Sequence, residues 1–356
     1  MNPLSRLLAA QQRCARPDDG PLLLWQPREE VLKRVRAEGT GLPKALLGPE
    51  PGSVWLRLLG LDILVRCLHE RTAYEIGQYF SESIQIAPNR SPDCIVECDW
   101  PTASRYLFRA RPDSAPEELE GIRVQLPGDL GPLPWRSRQP PIPPLGSRIL
   151  ADRFVCLHAA ALTHPTGETF LFIGERRSGK TTSSLHLTRR YGWTLLTDEA
   201  VFLLRRTRVV EPFPRSIGVA ARIDQESGEM LDKAFVPAND LVPRIAKEPA
   251  FASYIVVLEP DPACGEPQFE ILPASDALVH VLPHQIDVGT SADESFVTLL
   301  QLTEHCPSAV YRYKDPADLL ALPQAIEKFW HLSSIRDGDP VRPDTLFQLD
   351  EGALSP

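Results

Sequence analysis

The sequence predicts an α/β protein with a mixed sheet: a phosphate-binding core preceded by a smaller strand-rich domain. Three observations predict it. First, an apolar run at 169–173 leads straight into Gly174-Glu175-Arg176-Arg177-Ser178-Gly179-Lys180-Thr181, the pattern G-x-x-x-x-G-K-T, and a helical stretch follows to Arg190. Second, short apolar runs of strand type recur after it, broken by helical patterns at 291–305 and 316–331 rather than in strict alternation. Third, Pro132, Pro134, Pro140, Pro141, Pro143 and Pro144 fall between two structured regions, as a semi-rigid linker would.

Taken in order, residues 1–20 read as a flexible N-terminus, with Arg16-Pro17-Asp18-Asp19-Gly20 as a breaker. Residues 21–135 form the strand-rich domain. A helix opens at Pro27 and ends near Gly39, because proline starts it and acids fill its first turn. Runs at 55–59 and 61–65 flank Gly60 as two strands of a hairpin. A short helix at 73–80 and strands at 84–86, 94–98, 105–108 and 122–126 complete it. Residues 136–146 are the proline-rich linker, 147–336 the phosphate-binding domain and 337–356 a disordered tail. Within the core, residues 147–153 read as a short helix. Residues 154–162 read as one apolar strand with His158 in its middle, turning at His164-Pro165-Thr166-Gly167 into the strand at 169–173. Tyr191-Gly192 stops the loop's helix. Strands follow at 193–197, 200–204, 208–210, 255–258, 269–272 and 309–313. The helix at 291–305 carries Phe296, Leu299, Leu300 and Leu302 near one stripe.

Bulk composition narrows the function. A net charge of −9 argues against a generic nucleic-acid binder, which carries a basic domain. No apolar run reaches the roughly 18 residues of a membrane span, and no secretory leader develops. The seven scattered cysteines therefore read as free thiols of a cytoplasmic protein. Cys94 and Cys98 share a strand face, but no second pair completes a zinc site.

The chemistry concentrates in four places. In the loop, glycines allow the tight turn that aims backbone amides at phosphate oxygens. Gly174, Arg177, Ser178, Gly179, Lys180, Thr181 and Thr182 would contact the nucleotide. Lys180 would reach the β- and γ-phosphates, and the Thr181 hydroxyl suits Mg²⁺. Asp198-Glu199 ends the strand after the loop's helix, where an α/β sheet gathers its ligands. One acid would serve the metal (Asp198, with Thr181) and either could take the proton; the bland reading is a charged turn. His158 would orient an acid or be an ordinary core histidine. Arg215, fixed by Pro214, would clamp phosphate or make a surface ion pair. Arg176 and Arg177 would add charge to the nucleotide site or stay solvated.

With these residues in view, His158 in Leu-His-Ala-Ala-Ala, the loop at 174–181 and Gly192 to Val201 resemble the catalytic domain of HPr kinase/phosphorylase. The likeness is stronger to its stand-alone bacterial relatives, the HPr-kinase-related proteins, whose Pro-Arg-Pro-like segments are similar to Phe213-Pro214-Arg215. Some of these modify peptides of natural-product clusters, lasso precursors among them. The resemblance covers about 155–220. It implies a fold related to phosphoenolpyruvate carboxykinase, ATP and Mg²⁺ as cofactors, and transfer to a serine hydroxyl. By position, Asp198-Glu199 matches an acidic pair whose second member accepts the proton, and His158 matches the histidine supporting it. The second acid is Glu199 where HPr kinases carry Asp, and a later glycine-rich segment with a metal-binding Glu is not found. The reverse reaction and HPr as acceptor thus lie outside what the resemblance implies. The expectation is an ATP-dependent kinase of a protein or peptide hydroxyl, with no nucleic-acid or membrane partner and a homo-oligomer left open. A small-molecule kinase and a non-catalytic nucleotide-binding regulator are the rivals. All require Asp198 and Glu199 to stand beside the loop.

Overall fold

The computed structural model describes residues 52–67, 76–77, 79–85, 92–98, 105–109, 117–120, 152–223, 230–286 and 290–336. The expected N-terminal segment 1–20, the helix at 27–39, the strand at 122–126, the linker, the tail and most of the helix at 147–153 lie outside these residues.

The first sheet holds β1 (Ser53–Leu58), β2 (Leu61–Cys67), β3 (Ile84–Gln85), β4 (Cys94–Cys98), β5 (Arg105–Arg109) and β6 (Glu117–Glu120), in the order β3-β1-β2-β4-β5-β6. β1 and β2 form the expected hairpin, closed by Leu59 and Gly60 at φ 53° and 72°. Two left-handed residues in a two-residue loop match the twist of the strands they join. Alternation then sorts the side chains. Val54, Leu56, Leu58, Ile63 and Val65 face one way with Ile76, Tyr79 and Phe80, whereas Trp55 and Leu64, paired across the strands, face the other.

The second sheet has ten strands. β7 (Phe154–Leu157), β8 (Ala159–Thr163), β9 (Thr169–Ile173), β10 (Thr194–Thr197), β11 (Val201–Leu204), β12 (Val209–Glu211), β15 (Ala250–Pro260), β16 (Gln268–Leu272), β17 (Gln285–Ile286) and β18 (Ser308–Tyr313) belong to it. A separate ribbon pairs β13 (Ile217–Ile223) with β14 (Met230–Val236). The sheet is mixed. β9, β15 and β18 run parallel, and β10 shares their direction because both it and β9 are antiparallel to β8. The carboxyl ends of β9, β10, β15 and β18 therefore share one edge.

The apolar stretch 154–162 is not one strand. β7 pairs with β11 and β17, β8 pairs with β9 and β10, and the chain bends at His158 between them. Both halves are fully buried, so hydrophobicity runs through the break without marking it. The chain changes partners a second time between β10 and β11, at Asp198-Glu199-Ala200.

Side-chain alternation assigns the faces. Ala159, Ala161, Leu171, Ile173, Ile255 and Val257 pack toward α3 (Ala274–Val281) and α4 (Ala292–His305), both C-terminal to α1 (Lys180–Arg190) and the short α2 (Ala238–Leu241). Ala160, Leu162, Phe170, Phe172, Val256 and Leu258 pack toward α1 and α5 (Leu322–Arg336). On that second face the β7–β11 part meets the first sheet instead, through Phe154, Cys156, Phe202 and Phe213. Burial of each such aromatic side chain stabilises the fold by roughly 1.5–3 kcal/mol.

Two helices depart from expectation. The one at 316–331 starts as a 3₁₀ turn, Pro316–Ala321, held by reciprocal capping between Asp315 and Asp318, before α5 begins. In α4, capped by the Ser291 side chain, Thr298, Leu299, Leu302 and Thr303 point inward while Phe296 is 46% exposed. Among the described residues no helix is long and apolar enough to cross a membrane.

Candidate functional site

The loop between β9 and α1 sits at the shared carboxyl edge. Gly174 has φ 154°, and a Cβ there would collide with the Leu258 carbonyl of parallel β15 and with Ser178. Only glycine lets the chain leave the strand so close to its neighbour. Arg177 and Gly179 are left-handed, at φ 72° and 80°, which curls the loop back on itself. Ser178 N donates to Glu175 O at 3.0 Å. Lys180 Nζ spans the ring, donating to Gly174 O at 2.6 Å and Glu175 O at 2.9 Å. Helix α1 begins with Gly179 as a cap that offers no side-chain acceptor and with no acid in its first turn. Its first amides thus lack a side-chain acceptor, and the positive end of the helix dipole faces the ring. The Ser178 hydroxyl is buried without a hydrogen bond. Free amides at a helix N-terminus are a general setting for anions.

The acid doublet flanks the ring, as required. Thr197 Oγ1 donates to Ala200 O at 2.8 Å and fixes the bend. Asp198 Oδ2 accepts from Thr181 Oγ1 at 2.8 Å. Asp198 is 7% exposed, and Oδ1 takes no hydrogen bond; the nearby Ser184 hydroxyl is committed to Lys180 O at 2.9 Å. Burial pushes the Asp198 carboxyl up to about 6; the bond from Thr181, the nearness of the Ser184 hydroxyl and Arg215 oppose the rise, and Glu199 adds to it. Glu199 is bound by the Arg215 guanidinium. Arg215 is 4% exposed, lies over the Tyr79 ring at 5.6 Å, and has one nitrogen, Nη1, without a hydrogen bond. Phe213 N bonds Leu196 O at 3.0 Å and Ser216 N bonds Tyr79 O at 2.7 Å, so the segment carrying Arg215 is pinned on both sides. Arg215 belongs to a buried pair, not to a surface ion pair.

His158 occupies the first break. Ala159 pairs with Ile173, so His158 and Gly174 adjoin the same end of that ladder. Burial lowers its ring to about 4, helped by Lys180 and opposed by Glu199, so it is neutral near pH 7.

The structure thus brings together His158, Gly174, Ser178, Gly179, Lys180, Thr181, Asp198, Glu199 and Arg215. Thr182 is half-buried in the first turn of α1, and Arg176 and Arg177 are exposed on the crown of the loop. Sequence reasoning missed Tyr79, which supports Arg215, and His284, whose carbonyl accepts from His158 N at 2.7 Å. It also missed Tyr313 and Leu319, which cover Gly179. None carries a motif; only the fold assembles them.

Among the described residues no group of three or more His, Cys, Asp and Glu side chains could hold a metal. Mg²⁺ on a phosphate loop does not require one, since it keeps waters and takes few carboxylates. Thr181 Oγ1 beside the orphaned, buried Oδ1 of Asp198 fits that donor set.

No protein-family model matches the chain, and no curated protein matches it. Among solved structures it is similar to the Hpr(Ser) kinase/phosphatase from Coxiella burnetii at 15% identity, covering 52% of this chain and 99% of that one, with a TM-score of 0.27. So low a score supports neither activity nor mechanism, and the chemistry rests on the site's own geometry.

Proposed function

We propose that this chain is an ATP-dependent phosphotransferase that moves the γ-phosphate to a hydroxyl group, serine of a protein or peptide by the resemblance noted above. The observation that carries the reading is the hydrogen bond from Thr181 to Asp198 at the mouth of the Gly174–Lys180 ring. It ties an acid to the residue next to the phosphate-binding lysine. Mg²⁺, held by Thr181 and Asp198, would neutralise charge on the phosphates. Lys180 leaves the carbonyls of Gly174 and Glu175 to pair with the β- and γ-phosphates. Glu199 takes the proton of the acceptor hydroxyl as its oxygen bonds phosphorus and the bond to ADP breaks. Arg215 holds Glu199 in place, and its Nη1 has capacity for an oxygen of the transferred group. Neutral His158 orients Glu199 without competing for its charge. Tyr79 brings the first sheet to the acceptor side, which suits a substrate larger than a metabolite.

The test is transfer from ATP with Mg²⁺ to a peptide library and, separately, to a metabolite mixture, read by mass spectrometry. Lys180→Ala and Asp198→Asn should each lower transfer by about 10²-fold or more while the protein stays folded. Undiminished transfer in both variants would overturn the reading, and phosphorylated metabolites without phosphorylated peptides would replace the acceptor class.

A further inference from the structure

A residue outside every motif completes the row of groups across the loop. β17 pairs with β7 antiparallel, Gln285 with Leu157 and Ile286 with Cys156. Continued by one step, that register sets His284 opposite His158, and His158 N does bond His284 O at 2.7 Å. On the other side the β8–β9 ladder ends at Ala159 and Ile173, so His158 adjoins that end of the ladder as Gly174 does. His284, bonded to His158, therefore lies near the level where the loop departs from the sheet. The 3₁₀ turn Leu282–His284 delivers His284 to that level, and its ring is half-buried. Glu175 and Lys180 of the loop, and His280, lie within electrostatic reach of the ring. Burial, the largest influence, lowers its affinity for a proton; Glu175 raises it, and Lys180 and His280 lower it. Among the described hydrogen bonds the His284 ring takes part in none, while Lys180, which would pair with the terminal phosphates, is held close by the carbonyls of Gly174 and Glu175.

Resting on the phosphotransferase reading above, we propose that His284 donates a hydrogen bond to the terminal phosphate of the bound nucleotide, making it a sensor of triphosphate against diphosphate. The geometry favours the terminal group over the base or sugar, because Lys180 and Glu175 lie at the phosphate end of the ring. In this reading His158 serves the acceptor, and His284, one strand further out, serves the donor.

Calorimetric titration with Mg²⁺ and either ADP or a non-hydrolysable ATP analogue tests this. His284→Ala should weaken the triphosphate analogue by about tenfold, the scale of a hydrogen bond to a charged group, and change ADP by less than about twofold. His284→Gln, which retains an N–H donor, should recover most of the loss. Its backbone carbonyl, not its side chain, bonds His158, so ADP binding also reports that the site is intact. Equal losses for both nucleotides, no loss for either, or no recovery with glutamine would overturn the inference while leaving the phosphate loop standing. Failure of the unaltered protein to bind either nucleotide would overturn the reading beneath it as well.

Discussion

The two sides of the phosphate loop differ in how firmly they are held. On the flank, Asp198, Glu199 and Arg215 are tied to Thr181, to each other and over Tyr79, and Asp198 and Arg215 are nearly sealed from water. On the crown, Glu175, Arg176 and Arg177 are exposed. The flank is held by the protein's own contacts, which would suit the proposed transfer, since fixed groups need no reorganisation during a reaction. Its cost is an acid kept in a place that resists its charge. The exposed side chains of the crown carry no such burial cost.

Four substitutions break or sharpen that contrast. The largest effect belongs to Glu199→Gln. It should lower transfer by about 10²-fold or more and, by leaving the buried Arg215 without its counter-charge, destabilise the protein by on the order of 3 kcal/mol, measured by denaturant unfolding. Next is Gly174→Ala, expected to cost roughly 2–3 kcal/mol because its Cβ meets the backbone of β15 rather than a movable side chain. Asp198→Asn comes third and has the opposite sign. The folded carboxyl titrates at about 6 against a reference of 3.8, so the folded state holds a proton that the unfolded chain releases between those values. Stability attributable to Asp198 falls as pH rises through that window, and the deficit is complete above it. Asparagine should therefore stabilise the ligand-free protein by on the order of 2 kcal/mol at pH 8, and the gain should fade toward pH 4. A gain independent of pH would show that the charge is not what strains the flank. The smallest effect is that of Arg177→Gly. Relief of its left-handed backbone is offset by added entropy of the unfolded chain, so stability should stay within about 1 kcal/mol. A larger change would mean the crown is held as firmly as the flank.

The loop, its helix and the acid doublet were legible because each is a local pattern. Glycine spacing, the apolar run before it and the strand end at Asp198 all lie within a few residues of what they signal. The hairpin around Gly60 was legible for the same reason. The break at His158 was not, because a strand that changes partners while remaining buried leaves no trace in hydrophobicity. The exposure of Phe296 was hidden for a related reason: buried threonines occupy inward positions that an apolar stripe would claim. Tyr79 and His284 reach the site through long-range pairing, which periodicity does not encode. Asp198, the first of the doublet, lies against the start of the loop's helix, bonded by Thr181.

The two partner changes, at His158 and at Asp198-Glu199-Ala200, constrain how this chain could diverge. Each site residue there owes its place to a count of residues between one ladder and the next. Drift of side chains along the strands would leave that count untouched, but a single residue inserted or deleted within 154–163 or 194–204 would turn part of a strand over and carry a side chain to the far face. Length, more than identity, is the quantity that descendants of this sequence would have to preserve across those two stretches.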